Sequence, residues 1–267
     1  MAIIGLPGCQ SGVEPPLPIS NREVKRTSAD NSDPETDCED RSQPGIFLIN
    51  KPSGPTSYDV IRAFKKVYPK EKIGHAGTLD PLASGLLIVL LGKACKRQAE
   101  FMGLDKEYQA KIVFGLTSDS YDLGGSLKIG NGPELFEKLA LLSEPKIEKA
   151  ISGFGKGYLQ TVPAFCAVKT KGVPLYRLAR QGRKIDKLPS RRVKIKKIKL
   201  LSFTPTVFPQ IELIMTVSKG FYVRSLAFDL GVKLGVGAVL AGLVRTQIGP
   251  YSLKKAVDLK KILASEG

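Results

Sequence analysis

Apolar residues in this chain come in short runs that turn-forming residues interrupt at irregular intervals. The longest run, Leu86–Leu91, is far shorter than a bilayer-spanning helix requires. Ile46–Ile49 has the length of a short strand, and a Pro- and Gly-containing turn sequence follows it at 50–55. Strand-like and helix-like segments do not follow one another as a repeated strand–helix–strand unit. We therefore expect an α+β fold with a mixed, largely antiparallel sheet flanked by helices and loops.

Periodicity predicts where the main elements lie within that fold. Thr56 is expected to begin a helix, because Asp59 follows it at the spacing of a capping box. Runs that alternate or are continuously apolar predict further strands, and apolar residues three to four apart predict further helices. The predicted strands are 86–91, 106–114, 193–203 and 210–217, and the further predicted helices are 132–142 and 222–234.

The composition changes near residue 44. Residues 1–44 hold eight acidic and four basic side chains and six prolines, with no helical or strand period. We therefore predict a disordered, acidic, Pro-rich tail at 1–44 and a single folded domain at 45–267. The tail resembles neither a secretory signal, which has a longer apolar stretch, nor a transit peptide, which is poor in acids. A cytoplasmic protein that is not bound to a membrane is expected.

Basic residues outnumber acidic ones, and the formal net charge of the 267 residues is +16. Such an excess favours a polyanionic partner, of which nucleic acid is the commonest. Nine of the eighteen residues in 183–200 are Lys or Arg. Arg192, Lys194 and Lys196 fall on one face of the predicted strand, and Val193 and Ile195 fall on the other. This pattern suits a strand that contacts RNA, and it also suits a charged edge strand.

Few residues in the chain could hold a metal or form a structural disulfide. Its four cysteines, Cys9, Cys38, Cys95 and Cys166, lie far apart without a CxxC pair, and its one histidine is His75. Neither a zinc site nor a disulfide framework is expected from this set. Any Ser-His or Cys-His mechanism would have to use His75.

The loop at 74–87 carries the most specific pattern. Gly74 and Gly77 permit backbone angles that other residues avoid, and they allow a ligand to approach closely. Asp80 precedes Pro81 and is therefore biased toward an extended conformation that presents its carboxylate. No Lys-Ser/Thr pair ends the run, so a P-loop is not indicated. From the residues alone, Asp80 is either a candidate nucleophile or base, or a turn residue.

Residues 74–81 read Gly-His-Ala-Gly-Thr-Leu-Asp-Pro. This loop resembles the signature of the TruB-type pseudouridine synthases, Gly-His-x-Gly-Thr-Leu-Asp-Pro, at every specified position. Other segments resemble the remaining motifs of that family in the same order, and the resemblance extends over about residues 45–258. These segments are Asn50–Gly54, Lys106–Tyr108, Ser118–Asp122, Gln160–Lys169, Tyr176–Gly182 and Ser218–Leu226.

The resemblance implies the pseudouridine synthase fold and the isomerisation of uridine 55 in the T-loop of tRNA. That rearrangement has no net redox change and expels no group, so neither a cofactor nor a metal is implied. By the match of motifs Asp80 is the nucleophile, Arg224 is the arginine placed against it, and Tyr108 stacks on the target base. Judged on residues alone, a turn aspartate, a solvated helix arginine and a tyrosine packed in a sheet remain open.

The resemblance also implies a set of substrate-binding residues. The target nucleotide must be flipped out of its stack, and His75 matches a family histidine that helps fill the vacated space. Lys51 is expected to support the active-site loop or contact a phosphate, although a plain surface lysine is the alternative. Further substrate contacts are expected from Gly77, Thr78, Tyr222 and Leu243.

The chain departs from the family pattern at four positions. They are Val162 for a proline, Cys166 for a serine, Phe221 for a threonine, and Val244 within a Leu-Arg-Arg run that leaves Arg245. Only eight residues follow Leu259, so we expect no C-terminal PUA domain. Recognition should then rest on the T-arm stem-loop of tRNA, bound by a monomer.

Two alternatives to this assignment remain open. One is a noncatalytic RNA-binding protein or tRNA-folding chaperone on the same scaffold. It would have no need for a carboxylate, a tyrosine and an arginine at the positions of the catalytic set. The other is a pseudouridine synthase that acts on other RNA stem-loops, including those of messenger RNA.

Overall fold

Ten strands form one mixed sheet in this computed structural model, which describes residues 45–130, 132–183, 185, 187–259 and 261. Two short hairpins, of two strands each, lie outside that sheet. In chain order the strands are β1 (Ile46–Lys51), β2 (Ile73–His75), β3 (Ala83–Leu91), β4 (Lys106–Phe114), β5 (Leu116–Ser118), β6 (Leu127–Ile129), β7 (Gly157–Thr161), β8 (Lys169–Thr170), β9 (Val173–Pro174), β10 (Ser190–Thr204), β11 (Gln210–Val217), β12 (Ala238–Ile248), β13 (Tyr251–Ser252) and β14 (Val257–Asp258).

The helices precede, follow or connect these strands. In chain order they are α1 (Ser57–Val67), α2 (Gln98–Gly103), α3 (Pro133–Ala140), α4 (Glu144–Ser152), α5 (Leu175–Arg180) and α6 (Val223–Leu234), with 3-10 helices at Gly92–Arg97 and Leu253–Lys255. Thr56 caps α1 as predicted: its hydroxyl accepts from the Asp59 backbone N–H, and the Asp59 carboxylate accepts from the Thr56 backbone N–H.

The order of strands across the sheet is β14-β1-β3-β12-β4-β11-β10-β7, with β2 paired to β3 and β13 to β12. The pairs β1/β14 and β3/β12 are parallel. Every other neighbouring pair in this sheet is antiparallel. The predicted mixed, largely antiparallel sheet with flanking helices is therefore confirmed.

The sheet is buried on both faces around β1 and β3. Alternate residues of β3 enter two separate apolar clusters: Leu87 and Val89 join the larger one, and Leu86, Ile88 and Leu90 join the smaller one. A strand with two buried faces needs apolar residues at successive positions, which explains the unbroken run that the sequence shows here. The larger cluster continues under α1 and α6, and it reaches the cavity described below.

Several elements were not predicted from periodicity, above all β12, which lies between β3 and β4 at the centre of the sheet. Most residues of β12 are buried whichever way they point, so the strand lacks the alternation that would reveal it. The helices α4 and α5 and the strand β7 were also missed. These three elements are short, so each contains too few apolar residues to show a clear periodicity.

The described residues all belong to one compact unit. The predicted tail at 1–44, with Cys9 and Cys38, lies outside them. Cys95 and Cys166 are free thiols. No helix in the described part of the chain has the length and hydropathy that crossing a membrane requires.

Candidate active site

The loop that carries Asp80 joins β2 to β3, and the segment around α1 fixes it in place. The Ser57 hydroxyl, at the start of α1, accepts from Leu79 N at 2.8 Å and donates to Leu79 O at 3.0 Å. The turn before α1 holds the other side of Asp80, because Gly54 N donates to Pro81 O at 2.8 Å. Both neighbours of Asp80 are thus anchored, and its side chain is left free to face its partner.

That partner is Arg224, the second residue of α6. Arg224 Nε donates to Asp80 Oδ2 at 2.9 Å, and Arg224 Nη2 donates to Asp80 Oδ1 at 3.2 Å. The Asp80 side chain is 37% exposed, whereas the Arg224 side chain is 4% exposed. The two residues are 144 positions apart in sequence. A bidentate pair of this kind orients the carboxylate while one side of it stays accessible.

The Arg224 guanidinium is itself held by the protein. Its Nη1 donates to Ser120 O and its Nη2 to Phe165 O, each at 2.9 Å. Asp122 is buried, and its Oδ2 lies 3.7 Å from Arg224 Nε. These contacts leave Arg224 little freedom to turn away from Asp80. The accepting carbonyls belong to segments that the sequence singled out at 118–122 and 160–169.

Asp80 and Arg224 lie in the wall of an open cavity of about 360 Å³. This volume falls within the range of pockets that bind small ligands or single nucleotides. Tyr108, on β4, also lines it, and its hydroxyl has no hydrogen-bond partner among the described residues. Seven of the nine predicted site residues line the cavity: Gly77, Thr78, Asp80, Tyr108, Tyr222, Arg224 and Leu243.

Lys51, an eighth predicted residue, lies beneath the Asp80 loop and not in the cavity wall. Its ammonium donates to Pro52 O and Pro55 O, each at 2.8 Å. Burial lowers the pKa of Lys51 to about 8; the Asp80 charge opposes that shift, and the Arg245 charge adds to it. Lys51 thus stabilises the turn at 52–55, and it is not among the described residues that line the cavity.

His75, the ninth predicted residue, also lies outside the cavity wall. Its Nδ1 is buried without a hydrogen-bond partner among the described residues. Burial lowers the pKa of His75, and the Arg245 charge lowers it further. His75 at the end of β2 therefore presents a neutral ring close to the Asp80 loop.

Tyr222 is positioned by a buried glutamine on β7. Gln160 Oε1 accepts from Tyr222 N at 2.8 Å, and Gln160 Nε2 donates to Tyr222 O at 3.0 Å. Burial, and then the neighbouring Cys166, raises the pKa of Tyr222 to about 12. The Arg191 guanidinium lies 4.9 Å from the centroid of the Tyr222 ring. The sequence placed Gln160 only in a family-like segment, without a role.

Two buried cations in the cavity wall, Lys106 and Arg245, were not predicted as site residues. Lys106 donates to Met102 O at 2.7 Å and Leu104 O at 2.5 Å, at the end of α2. Burial lowers the pKa of Lys106 to about 8, and the Arg245 charge contributes. No local sequence signal marked either residue: Lys106 is flanked by two acidic residues, and Arg245 lies in a strand that periodicity did not predict.

In this arrangement a carboxylate can act as a nucleophile or a base on a planar ligand. It offers an accessible carboxylate in a fixed orientation, an aromatic ring beside it and cationic donors around both. Among the described residues, no three or more His, Cys, Asp or Glu side chains are placed to hold a metal ion.

Comparison with known families gives a match over more than half of the chain. The model described as TruB family pseudouridylate synthase (N terminal domain) matches residues 65–223. This range contains Asp80 and Tyr108 and ends one residue before Arg224.

Curated relatives extend the likeness over most of the folded region. The tRNA pseudouridine synthase B of Opitutus terrae is 38% identical over 222 residues, which cover 82% of this chain and 87% of the relative. The tRNA pseudouridine synthase B of Bordetella avium is 40% identical over 226 residues, which cover 84% of this chain and 89% of the relative.

Solved structures share the fold. A Cbf5-Nop10-Gar1 complex contains a chain with a TM-score of 0.60 and 28% identity, covering 81% of this chain and 52% of that one. The archaeal box H/ACA sRNP Nop10-Cbf5 complex gives a TM-score of 0.58 and 26% identity, covering 82% and 53%. This chain thus spans about half the length of those solved chains.

Proposed function

Because this chain belongs to the TruB family of pseudouridylate synthases, we propose that it converts uridine 55 in the T-loop of tRNA to pseudouridine, with Asp80 as the nucleophile. The curated relatives are named for action on tRNA. The predicted fold and the family resemblance of the sequence are both confirmed by these matches. The substrate position and the roles of individual residues are our proposal.

One observation carries this proposal: the Asp80 carboxylate is held bidentately by a buried Arg224 and still faces an open cavity. A purely structural ion pair would gain nothing from leaving its carboxylate accessible. An RNA-binding surface alone would gain nothing from a fixed anion, which repels phosphates. A nucleophile needs both a fixed direction and access, and this arrangement supplies both.

The reaction needs the target base to leave its stack. A flipped nucleotide fits a cavity of this size, and the exposed face of the Tyr108 ring offers a stacking platform beside Asp80. The uracil must detach from the ribose, turn, and bond again through carbon. The cavity wall retains the detached base during that turn. The rearrangement is an isomerisation without net oxidation or reduction, so it requires no redox partner.

Other residues contribute to substrate binding in this proposal. Gly77, Thr78, Tyr222 and Leu243 contact the flipped nucleotide from the cavity wall. His75 ends β2 and directly precedes the Asp80 loop. We assign it to RNA contact, where a neutral ring fills the space that the base vacates. Lys51 supports the Asp80 loop indirectly: it holds the turn at 52–55 through two carbonyls, and Gly54 N in that turn donates to Pro81 O.

We further propose that a monomer in the cytoplasm binds the T-arm stem-loop. Asp80, Tyr108 and Arg224 all come from one chain, so no second copy is required to complete the site. The excess of basic residues in the folded region supplies phosphate contacts. Specificity then comes from loop shape and splayed bases.

Tritium release from a tRNA transcript with 5-tritiated uridine tests the proposal. The wild type should release tritium from position 55. Asp80→Asn, which keeps the shape of the side chain, should release none, while its affinity for the T-arm stem-loop stays within roughly tenfold of the wild type. Conversion at another position would reassign the substrate. Binding without any turnover by the wild type would instead favour the noncatalytic chaperone.

A further inference from the structure

Arg245 is a buried cation without an anionic partner. It is 1% exposed, and it forms no ion pair with any carboxylate that the structure describes. Burying a charge without a counter-charge is costly, so a buried cation of this kind in a cavity wall is a candidate for contact with a ligand. Arg224, the other buried arginine of the cavity, has Asp80 and Asp122 close by.

The Arg245 guanidinium is fixed by the backbone and leaves one nitrogen unused. Its Nε donates to Leu86 O at 2.7 Å, and its Nη2 donates to Gly77 O at 3.1 Å. Nη1 has no hydrogen-bond partner among the described residues, and the side chain forms part of the cavity wall. The backbone therefore holds a guanidinium in one orientation with a free N–H edge available to an occupant of the cavity.

Arg245 also lies beside the proposed base platform. On the antiparallel pair β12/β4 it is directly opposite Tyr108, so their side chains leave the same face of the sheet. Gly77, which accepts from Arg245, belongs to the loop that ends in Asp80. Asp80, Tyr108 and Arg245 all line the same cavity, so a ring stacked on Tyr108 shares that cavity with the carboxylate and the guanidinium.

Other positive groups make this edge favourable for negative charge. The Arg245 charge contributes to the lowered pKa values of Lys51, Lys106 and His75, so it acts electrostatically on three neighbouring groups. The carboxylates that oppose these shifts are Asp80 and Asp59 at Lys51 and Asp105 at Lys106, and of these only Asp80 lines the cavity. A further negative charge inside the cavity would be stabilised by the field already present.

The rearrangement creates such a charge. If Asp80 displaces N1 from C1′, the electron pair of the C1′–N1 bond leaves with the uracil ring, whose oxygens O2 and O4 carry the resulting charge, and C1′ is held as an ester of Asp80. C5 then bonds to C1′ with that electron pair, the Asp80 carboxylate leaves, C5 loses its proton to water, and N1 gains one. If Asp80 instead adds first to C6, O4 gains the charge, and Asp80 is expelled from C6 as C5 loses its proton, after C5 has bonded to C1′ in place of N1.

We propose that Arg245 is a further catalytic residue, whose free Nη1 donates to a carbonyl oxygen of the flipped uracil and stabilises the charge that this oxygen gains during the reaction. The inference rests on the proposed function. It assigns a role to a residue of β12 that was not among the predicted site residues. A donor fixed before the reaction accelerates it, because no reorganisation is needed when the charge appears.

Single-turnover rates of Arg245→Gln test the proposal on two RNA stem-loops, one with uridine and one with 5-fluorouridine at the target position. Loss of substrate nucleoside is measured after nuclease digestion. On uridine we expect a rate lower by about 10²–10³-fold, as for the loss of one oxyanion donor. On 5-fluorouridine the loss should be at least roughly tenfold smaller, because fluorine withdraws electrons and itself stabilises the ring anion. Affinity for RNA should change little.

Controls separate this inference from folding and from the proposed function. Lys138→Gln removes an exposed charge on α3 and should leave both rates unchanged. Arg245→Lys keeps the cation, and if Arg245→Gln does not fold, the same pair of substrates is compared with this variant. Equal losses on both substrates, or a loss of RNA affinity alone, would overturn the proposal, the latter indicating a phosphate contact. No turnover by the wild type would contradict the proposed function itself.

Discussion

Tyr108 is expected to contribute through its ring face and not through binding by its hydroxyl. The ring lines the cavity, and no described residue anchors the hydroxyl. Tyr108→Phe keeps the ring, so affinity for the T-arm stem-loop should stay near the wild type. Tyr108→Ala removes the platform, and affinity should fall by roughly tenfold, since stacking on a base contributes about 1–3 kcal/mol. Equilibrium titration of a labelled stem-loop measures both, and equal losses would refute stacking.

Lys106 contributes to stability by closing the end of α2. Its ammonium donates to carbonyls of Met102 and Leu104. Lys106→Met keeps the length of the side chain and leaves those carbonyls without this donor. The free energy of unfolding at about pH 7 should fall by roughly 1–3 kcal/mol, as judged by urea denaturation. Lys111→Met, at a half-buried position on the same strand, is the control and should cost less.

The same lysine predicts a pH dependence. Burial lowers the pKa of Lys106 from its usual 10.5 to about 8. Between those values the unfolded chain keeps a proton that the folded chain has released, so the stability of the folded state rises with pH. The stability difference between the wild type and Lys106→Met should therefore be constant below about pH 8 and grow toward pH 10. Urea titrations across that range measure it, and a constant or shrinking difference would contradict a lowered pKa.

Residues that belong to a local sequence motif were easier to predict than residues whose role depends on tertiary packing. Asp80 and Arg224 were identified from their motifs, although only the fold shows that they make two hydrogen bonds. Arg245 was not identified. Its significance lies in being buried without a carboxylate partner among the described residues, and that becomes visible only in the folded structure. Which groups surround a buried side chain is a property of strands that are distant in sequence, and no local pattern encodes it.

At the scale of elements, the close passage of β3 past β12 depends on one glycine. Gly85 has φ +101°, and a Cβ there would lie 2.4 Å from Arg245 O. Gly85→Ala should lower the free energy of unfolding by roughly 3 kcal/mol or more, through backbone strain and overlap with β12. Gly54 has φ +106° with no atom within 4 Å of such a Cβ.

Gly54→Ala is therefore the matched control for backbone strain alone. It should cost about 1 kcal/mol. Urea denaturation of the two variants measures the difference, which isolates the overlap at Gly85. Similar losses for both variants would mean that β3 and β12 can move apart.

Strands were predicted well where apolar residues alternate or run without interruption, and poorly where neither pattern holds. The bounds of β4 and β11 agree with the predicted 106–114 and 210–217, because each strand presents an apolar face and a more polar one. β12 was missed because its burial does not alternate throughout and because Gly242 and Arg245 interrupt its apolar run. The parallel pairing of β12 with β3 joins residues about 160 positions apart, and such pairings are not readable from local sequence.

At the scale of the whole molecule, the basic residues of β10 divide between two faces. Arg191 lines the cavity, and Val193 and Ile195, on the same side of the strand, are buried. Arg192, Lys194 and Lys196 are exposed and point the other way. Lys196 is further engaged by Asp105. The strand therefore combines one basic residue at the cavity with a charged outer face. It lies between β11 and β7 and is not the end strand that the edge-strand interpretation requires.

This division predicts that RNA affinity depends on Arg191 far more than on Lys194. Arg191→Gln should weaken binding of the T-arm stem-loop by several-fold, because it removes a cation at the cavity. It should also lower the slope of log affinity against log salt by about 1. Lys194→Gln removes the same charge from the outer face, so its affinity and salt slope should stay near the wild type. Titrations at several salt concentrations measure both, and equal effects would mean that the stem-loop also contacts the outer face of β10.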